Sequence, residues 1–173
     1  MKRSDFKQAL PILKLVLVLL GFSPLAVNAA CEQYPLALQQ MSQRSAEIVT
    51  NKQQRIKINY RVADTPALRS AGFQNVCAST IDKEQILFVF QRELIPAFHM
   101  RNVVAALDIA FIRADGTIAN IQTMQPYVLG STKRPLYQPQ EAIVYVLETR
   151  EGFFAEHNII EEQATFHFTT NTN

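Results

Sequence analysis

The chain has 173 residues, with 17 basic and 15 acidic side chains and a formal net charge of +2. The basic excess lies in the first 29 residues; the remainder holds 13 basic and 14 acidic residues, a net of −1. Nothing in that balance favours nucleic acid, whose binding needs a clustered basic face, and none is expected as a partner; the remaining length fits one domain able to bury a core.

Lys2, Arg3 and Lys7 precede an apolar run from Leu15 to Val27, broken by Gly21, Ser23 and Pro24. Val27 and Ala29 stand at the −3 and −1 positions of a cleavage after Ala29. A basic start, a short apolar stretch and a small-x-small exit predict a secretory signal peptide over residues 1–29. As a membrane anchor the stretch is interrupted by Pro11, Lys14 and Pro24, and spanning takes ~20 apolar residues. Ala29-Ala30-Cys31 also resembles the end of a lipobox, with Asn28 where that motif takes an aliphatic residue. The expectation is a periplasmic or secreted protein, with a lipoprotein anchored through Cys31 as the alternative. Membrane contact is expected only by that route or if the signal stays uncleaved.

Cys31 and Cys77 both survive cleavage, and an even count in an oxidising compartment suggests a disulfide between them, with two free thiols as the alternative. No thiolate-stabilising neighbour in sequence points to Cys77 as a nucleophile.

Residues 35–49 read as a helix with a weak stripe of Leu38, Met41, Ala46 and Val49, so 30–54 is expected to be an N-terminal helix or arm. From residue 55 to 173 the chain reads as a single domain. Ile56, Ile58, Tyr60 and Val62 alternate with polar residues, which predicts a half-buried strand. Thr65 and Pro66 predict the start of a short helix over 66–71, with Gly72 closing it. Ile86–Phe90 is an apolar run and reads as a strand buried on both faces or as an end of one. Strands are also expected over 97–102 and 106–112. Asp115-Gly116 turns the latter back into 117–124 as a hairpin. Residues 125–140, with Pro126, Gly130, Pro135 and Pro139, read as a long exposed loop. A strand over 143–148, a short helix over 152–157 with Asn158 as a cap, and a strand over 164–168 complete the chain. The sum is a β-rich α+β domain: a compact antiparallel or mixed sheet, or a small barrel, of about six strands with two or three short helices.

The strand 106–112 carries the most informative side chain. Leu107, Ile109 and Phe111 point one way; Ala106, Asp108 and Ala110 point the other. A carboxylate between two alanines must be paired or hydrogen-bonded, and Asn102 is a candidate partner. Asp108 therefore reads either as a ligand-orienting or acid–base group, or as a structural acceptor of backbone amides. Phe98 and Met100 read as core, while His99 and Arg101 share the other face. Glu148 ends an apolar strand just before a helix, where free amides and the helix dipole stabilise a carboxylate. His99, His157 and His167 are scattered and predict no metal site. No Gly-rich phosphate loop or nucleophile elbow is present, and no cofactor is expected.

These segments, taken together, resemble a known family. The blocks Val62-Ala63-Asp64-Thr65-Pro66, Arg69, Gly72, Ile86–Phe90, Phe98–Asn102, Leu107–Ile112, Asp115-Gly116, Ile121–Pro126, Val146–Glu148 and Gly152-Phe153 resemble the domain of unknown function 192 family from about Ile56 to Phe168. The resemblance implies a compact β-rich domain, often with a signal peptide, and carries no agreed activity. Its characteristic polar positions fall on Asn102, Asp108 and Glu148, and its methionines on Met100 and Met124. His99 stands where the family usually has Trp, Arg101 where it tends to have Lys, and Val103 where it often has Thr. The stretch from Phe73 to Glu84, which contains Cys77, also departs from the family pattern. If that Trp walls a ligand in relatives, His99 changes the ligand.

Two functional classes follow. The first is an envelope module binding a small polar ligand or a partner protein around Asp108, Asn102, Met100 and His99. The second is an enzyme with Asp108 as general base and Glu148 or His99 as partner, which needs both groups within reach of one substrate. An accessory or assembly factor of the envelope is a further alternative.

Overall fold

The computed structural model describes residues 31–128 and 130–169. The expected signal peptide and the cleavage after Ala29 lie outside the described residues. In chain order the elements are α1 (Leu36–Gln40), β1 (Ser42–Thr50), β2 (Arg55–Ala63), α2 (Pro66–Ala71), α3 (Ala78–Ile81), β3 (Ile86–Leu94), β4 (Leu107–Ile112), β5 (Ile118–Met124), β6 (Ile143–Arg150), α4 (Phe153–Glu156) and β7 (Ala164–Phe168). The strands form one seven-stranded mixed sheet in the order β5-β4-β6-β3-β2-β1-β7. Only β2 and β3 run parallel. The connection between them carries α2 and α3, as a parallel crossover requires.

The sheet curls until its edges approach. Thr117, just before β5, bridges Thr165 in β7, and the Phe166 amide donates to the Gly116 carbonyl at 2.8 Å. The result is a half-barrel, the β-rich α+β class expected from the sequence. Both faces of its central strands are covered. Phe73, Ile86, Phe88, Leu107, Ile109, Phe111 and Val146 pack on one face beneath α1, α2 and α3. Ile48, Leu87, Ala110, Ile112, Leu147, Phe154 and Phe166 fill the other. Every residue of β4 is buried, which is why this strand reads as a nearly continuous apolar run.

Local signals place α2 where the sequence predicts. The Leu68 amide donates to the Thr65 hydroxyl at 3.2 Å, and Pro66 occupies the first turn. Gly72 ends the helix at φ +48°, with ψ −135° rather than a left-handed helical value.

Two expected elements differ. The helix expected over 35–49 is real only as α1; Leu38 is its buried residue, and Met41, also buried, follows it in extended conformation. The chain then extends, and Ala46, Ile48 and Thr50 turn inward along β1. Strand wins because β1 is hydrogen-bonded on both sides, to β2 and to β7, partners remote in sequence that a local stripe does not register. The strand expected over 97–102 is a loop. Phe98 alone bridges Tyr137, exchanging hydrogen bonds of 2.9 and 3.0 Å. Asn102 has φ +56°, a conformation that no ladder accommodates.

Cys31 and Cys77 form a disulfide, supported by a bridge between Glu32 and Val76. It anchors the start of the described chain to the segment between α2 and α3.

Candidate functional site

Asp108 sits on β4 with only 4% of its surface exposed. Its Oδ1 accepts from the Thr123 hydroxyl at 2.8 Å and its Oδ2 from the Gly152 amide at 2.9 Å. Thr123 is its direct cross-strand partner on β5, and Gly152 opens α4. Both oxygens are thus engaged in joining β4, β5 and the β6–α4 turn. The residue borders an open depression with Phe154, Ile159 and Glu161. Asn102, the partner suggested by sequence, is elsewhere: its carbonyl accepts from the Asn75 amide at 2.8 Å.

Glu148 faces the opposite way. On β6 it pairs with Ile109 of β4, while Asp108 pairs with Thr149; alternation therefore puts the two carboxylates on opposite faces of the sheet. They do not form an acid–base pair. Nor does Glu148 cap α4, as its place in sequence suggests; the Gly152 amide goes to Asp108 instead. Glu148 has 5% of its surface exposed, and Ile86 and Ile109 are its cross-strand neighbours. Its carboxylate accepts no hydrogen bond from any described residue. Burial pushes its pKa up to about 8, since an unpaired charge in apolar surroundings is unfavourable. The carboxyl is thus mainly neutral at pH 7.

This carboxyl lies at the side of a cavity of about 300 Å³ between the end of α2, β3 and the 95–104 loop. The walls are Phe73, Phe88, Phe90 and Phe98, with Val103, Arg69 and His99. The Phe88 and Phe98 rings meet edge to face at 5.1 Å. Arg69 has its guanidinium 5.2 Å from the Phe90 ring centre and is held by the Asp64 and Val89 carbonyls. Gly72 keeps the space beside Glu148 open. A Cβ there would stand 3.4 Å from Phe88 Cζ and 3.7 Å from Glu148 Oε2. The size and lining match those of small-molecule sites: mostly apolar walls with a few polar groups that orient a ligand.

The residues singled out by sequence therefore divide. Glu148 and His99 line the same cavity, whereas Asp108 does not. Met100 is buried in the core, 1% exposed, and Asn102 lies on the surface at a tight turn. The sequence pattern does not single out Arg69, Gly72, Phe73, Phe88 or Phe98 as site residues. In sequence Arg69 reads as a helix residue, Gly72 as its cap, Phe88 as part of a strand and Phe98 as core, Phe73 carries no reading of its own, and only their convergence gives them another role. Among the described residues no group of three or more His, Cys, Asp and Glu could hold a metal ion.

Comparison with known proteins adds family and fold. The DUF192 family model, described as Uncharacterized ACR, matches residues 47–165. No curated protein matches the chain at a significant level. The fold is similar to that of a protein described as a candidate transcription regulator from Sinorhizobium meliloti, with a TM-score of 0.64 and 21% identity over 74% of this chain and 95% of that one. A protein of unknown function from Novosphingobium aromaticivorans is similar at a TM-score of 0.60 and 22% identity, over 72% of this chain and 84% of that one. At these identities the likeness concerns the fold alone.

Proposed function

The chain belongs to the DUF192 family, and on that premise we propose that it is an exported small-ligand-binding module of the cell envelope, with the cavity beside Glu148 as its site. One observation carries the reading: a carboxyl that is buried, free of hydrogen bonds from described residues and aimed into an aromatic cavity. Its oxygens reach the cavity, so whatever occupies that space, water or ligand, is their partner. A ligand that offers a matched hydrogen-bonding edge gains by pairing with it, and the carboxyl forms no hydrogen bond that ties elements of the fold together, unlike Asp108. Export rests on the signal-peptide pattern of residues 1–29, and the Cys31–Cys77 disulfide is consistent with an oxidising compartment. Of the sequence candidates, His99 takes part at the cavity wall. Asp108 serves as the joint between β4, β5 and α4.

A thermal-shift screen of envelope metabolites tests this, comparing the wild type with Glu148→Ala and Phe98→Ala. The expected result is at least one compound that raises the wild-type melting temperature and loses its effect in both variants. A screen without hits, or hits unaffected by either variant, overturns the proposal.

A second reading is a small envelope enzyme. It is favoured by the meeting of Glu148, whose pKa of about 8 suits a general acid, with His99 in one cavity. Turnover of a bound metabolite that disappears in both Glu148→Gln and His99→Ala would establish it in place of simple binding.

A further inference from the structure

The geometry points to one class of ligand for this cavity: a compact neutral molecule with an apolar, ring-like body and an amide- or lactam-type head that pairs with the Glu148 carboxyl. The inference rests on the ligand-binding reading above and deepens it.

The head group follows from the carboxyl. In its neutral form Glu148 presents one O–H donor and one C=O acceptor side by side. The complement is a group with an acceptor and a donor side by side, which an amide or lactam edge provides. The surroundings hold the carboxyl in that form. From β3 and β4 its neighbours are the apolar Ile86 and Ile109. From α2 the charged group lining the cavity is Arg69, and from the 95–104 loop the titratable group is His99. No other acidic residue lines the cavity. Arg69 already places a positive charge on the wall, over Phe90, which opposes entry of a cationic amine. Arg69 would draw an anionic head, but beside Glu148 that head would bring its charge into the surroundings that disfavour ionised Glu148, and a benzoate probe tests that alternative.

The body follows from the walls. Phe73, Phe88 and Phe98 offer faces and edges suited to a ring. The missing Cβ of Gly72 leaves room for the head beside Glu148 Oε2. Arg69 offers a separate contact at the wall: both of its hydrogen bonds to described residues come from Nη1.

Three probes of similar shape separate the alternatives: benzamide, benzoate and benzylamine. Each is titrated into the purified protein from pH 6 to 9.5, with binding located by shifts of the Gly72 and Phe73 amide resonances. Benzamide is expected to bind best at pH 6–7. Its affinity should fall roughly tenfold for each pH unit above the Glu148 pKa of about 8. In Glu148→Gln, which keeps a donor and an acceptor side by side, benzamide should bind with no such fall. In Glu148→Ala binding should drop at least tenfold. Asp108→Ala, outside the cavity, serves as a control and should leave the high-pH fall in place. Benzylamine binding that strengthens as pH rises, or benzoate binding tightest of the three, overturns the neutral-head inference and leaves the cavity a ligand site. So does a metabolite hit without an amide-type head when no probe binds. Failure of all three probes together with an empty metabolite screen overturns both readings.

Discussion

At the scale of single residues, Glu148 and Asp108 show how one residue type takes opposite roles from its surroundings. Glu148 has its pKa raised from 4.5 to about 8 by burial. Between those values the folded state keeps a proton that the unfolded state releases, so stability falls as pH rises. The Glu148 contribution is most favourable below about pH 4.5, declines through the interval and levels off above about pH 8. The full difference is on the order of 5 kcal/mol. Glu148→Gln is expected to remove this slope and to stabilise the fold at pH 8, measured by urea unfolding of both proteins from pH 5 to 9. Equal slopes in the two proteins would contradict it. Asp108 is different because both of its oxygens are matched. Asp108→Ala leaves the Gly152 amide and the Thr123 hydroxyl without their acceptor. It should cost about 1–3 kcal/mol while leaving ligand binding beside Glu148 intact. Sequence reading marks both residues as acids within apolar strands. It does not reveal that they face apart, because alternation within a strand is legible locally while the register between strands is not.

At the scale of elements, the segment from α2 to α3 builds much of the cavity wall and is anchored from outside. The disulfide joins Cys77 to Cys31 across 46 residues. Closing a loop of that length stabilises by about 4 kcal/mol in the chain-entropy model. The double variant Cys31→Ser, Cys77→Ser should lose about 2–4 kcal/mol in denaturant unfolding and show no further change with reductant. Intact mass of the mature protein, with and without reductant, distinguishes this bond from a lipid on Cys31, because the same sulfur cannot carry both. Thr65 is a smaller and more local case. Its hydroxyl accepts from the Leu68 amide, and Thr65→Ala should cost about 1 kcal/mol, read as a lower melting temperature. This helix was legible because its cap, proline and closing glycine all act within a few residues. The strand β1 was not, because its two hydrogen-bonded neighbours come from residues 55–63 and 164–168.

At the scale of the whole molecule, the curl of the sheet is held where the β4–β5 turn meets β7. Gly116 has φ +91°, and a Cβ there would lie 2.4 Å from the Phe166 carbonyl oxygen. Gly116→Ala is therefore expected to cost at least about 2 kcal/mol, seen as a lowered unfolding midpoint and faster amide exchange along β7. A substitution tolerated without either change would mean that the closure contributes little to stability. The turn itself was visible as Asp115-Gly116 between two apolar runs. That the same glycine also receives the last strand was not. The sequence by itself determined the β-rich class, the central strands, the hairpin, the capped helix, the paired cysteines and the family likeness. Each of these depends on spacing within a few residues or on the chemistry of a residue type. Only the tertiary structure decided that Glu148, rather than Asp108, faces an aromatic cavity with His99, Arg69 and Gly72. That convergence depends on inter-strand register and on a crossover that folds residues 69–74 over the sheet, and no local pattern encodes either.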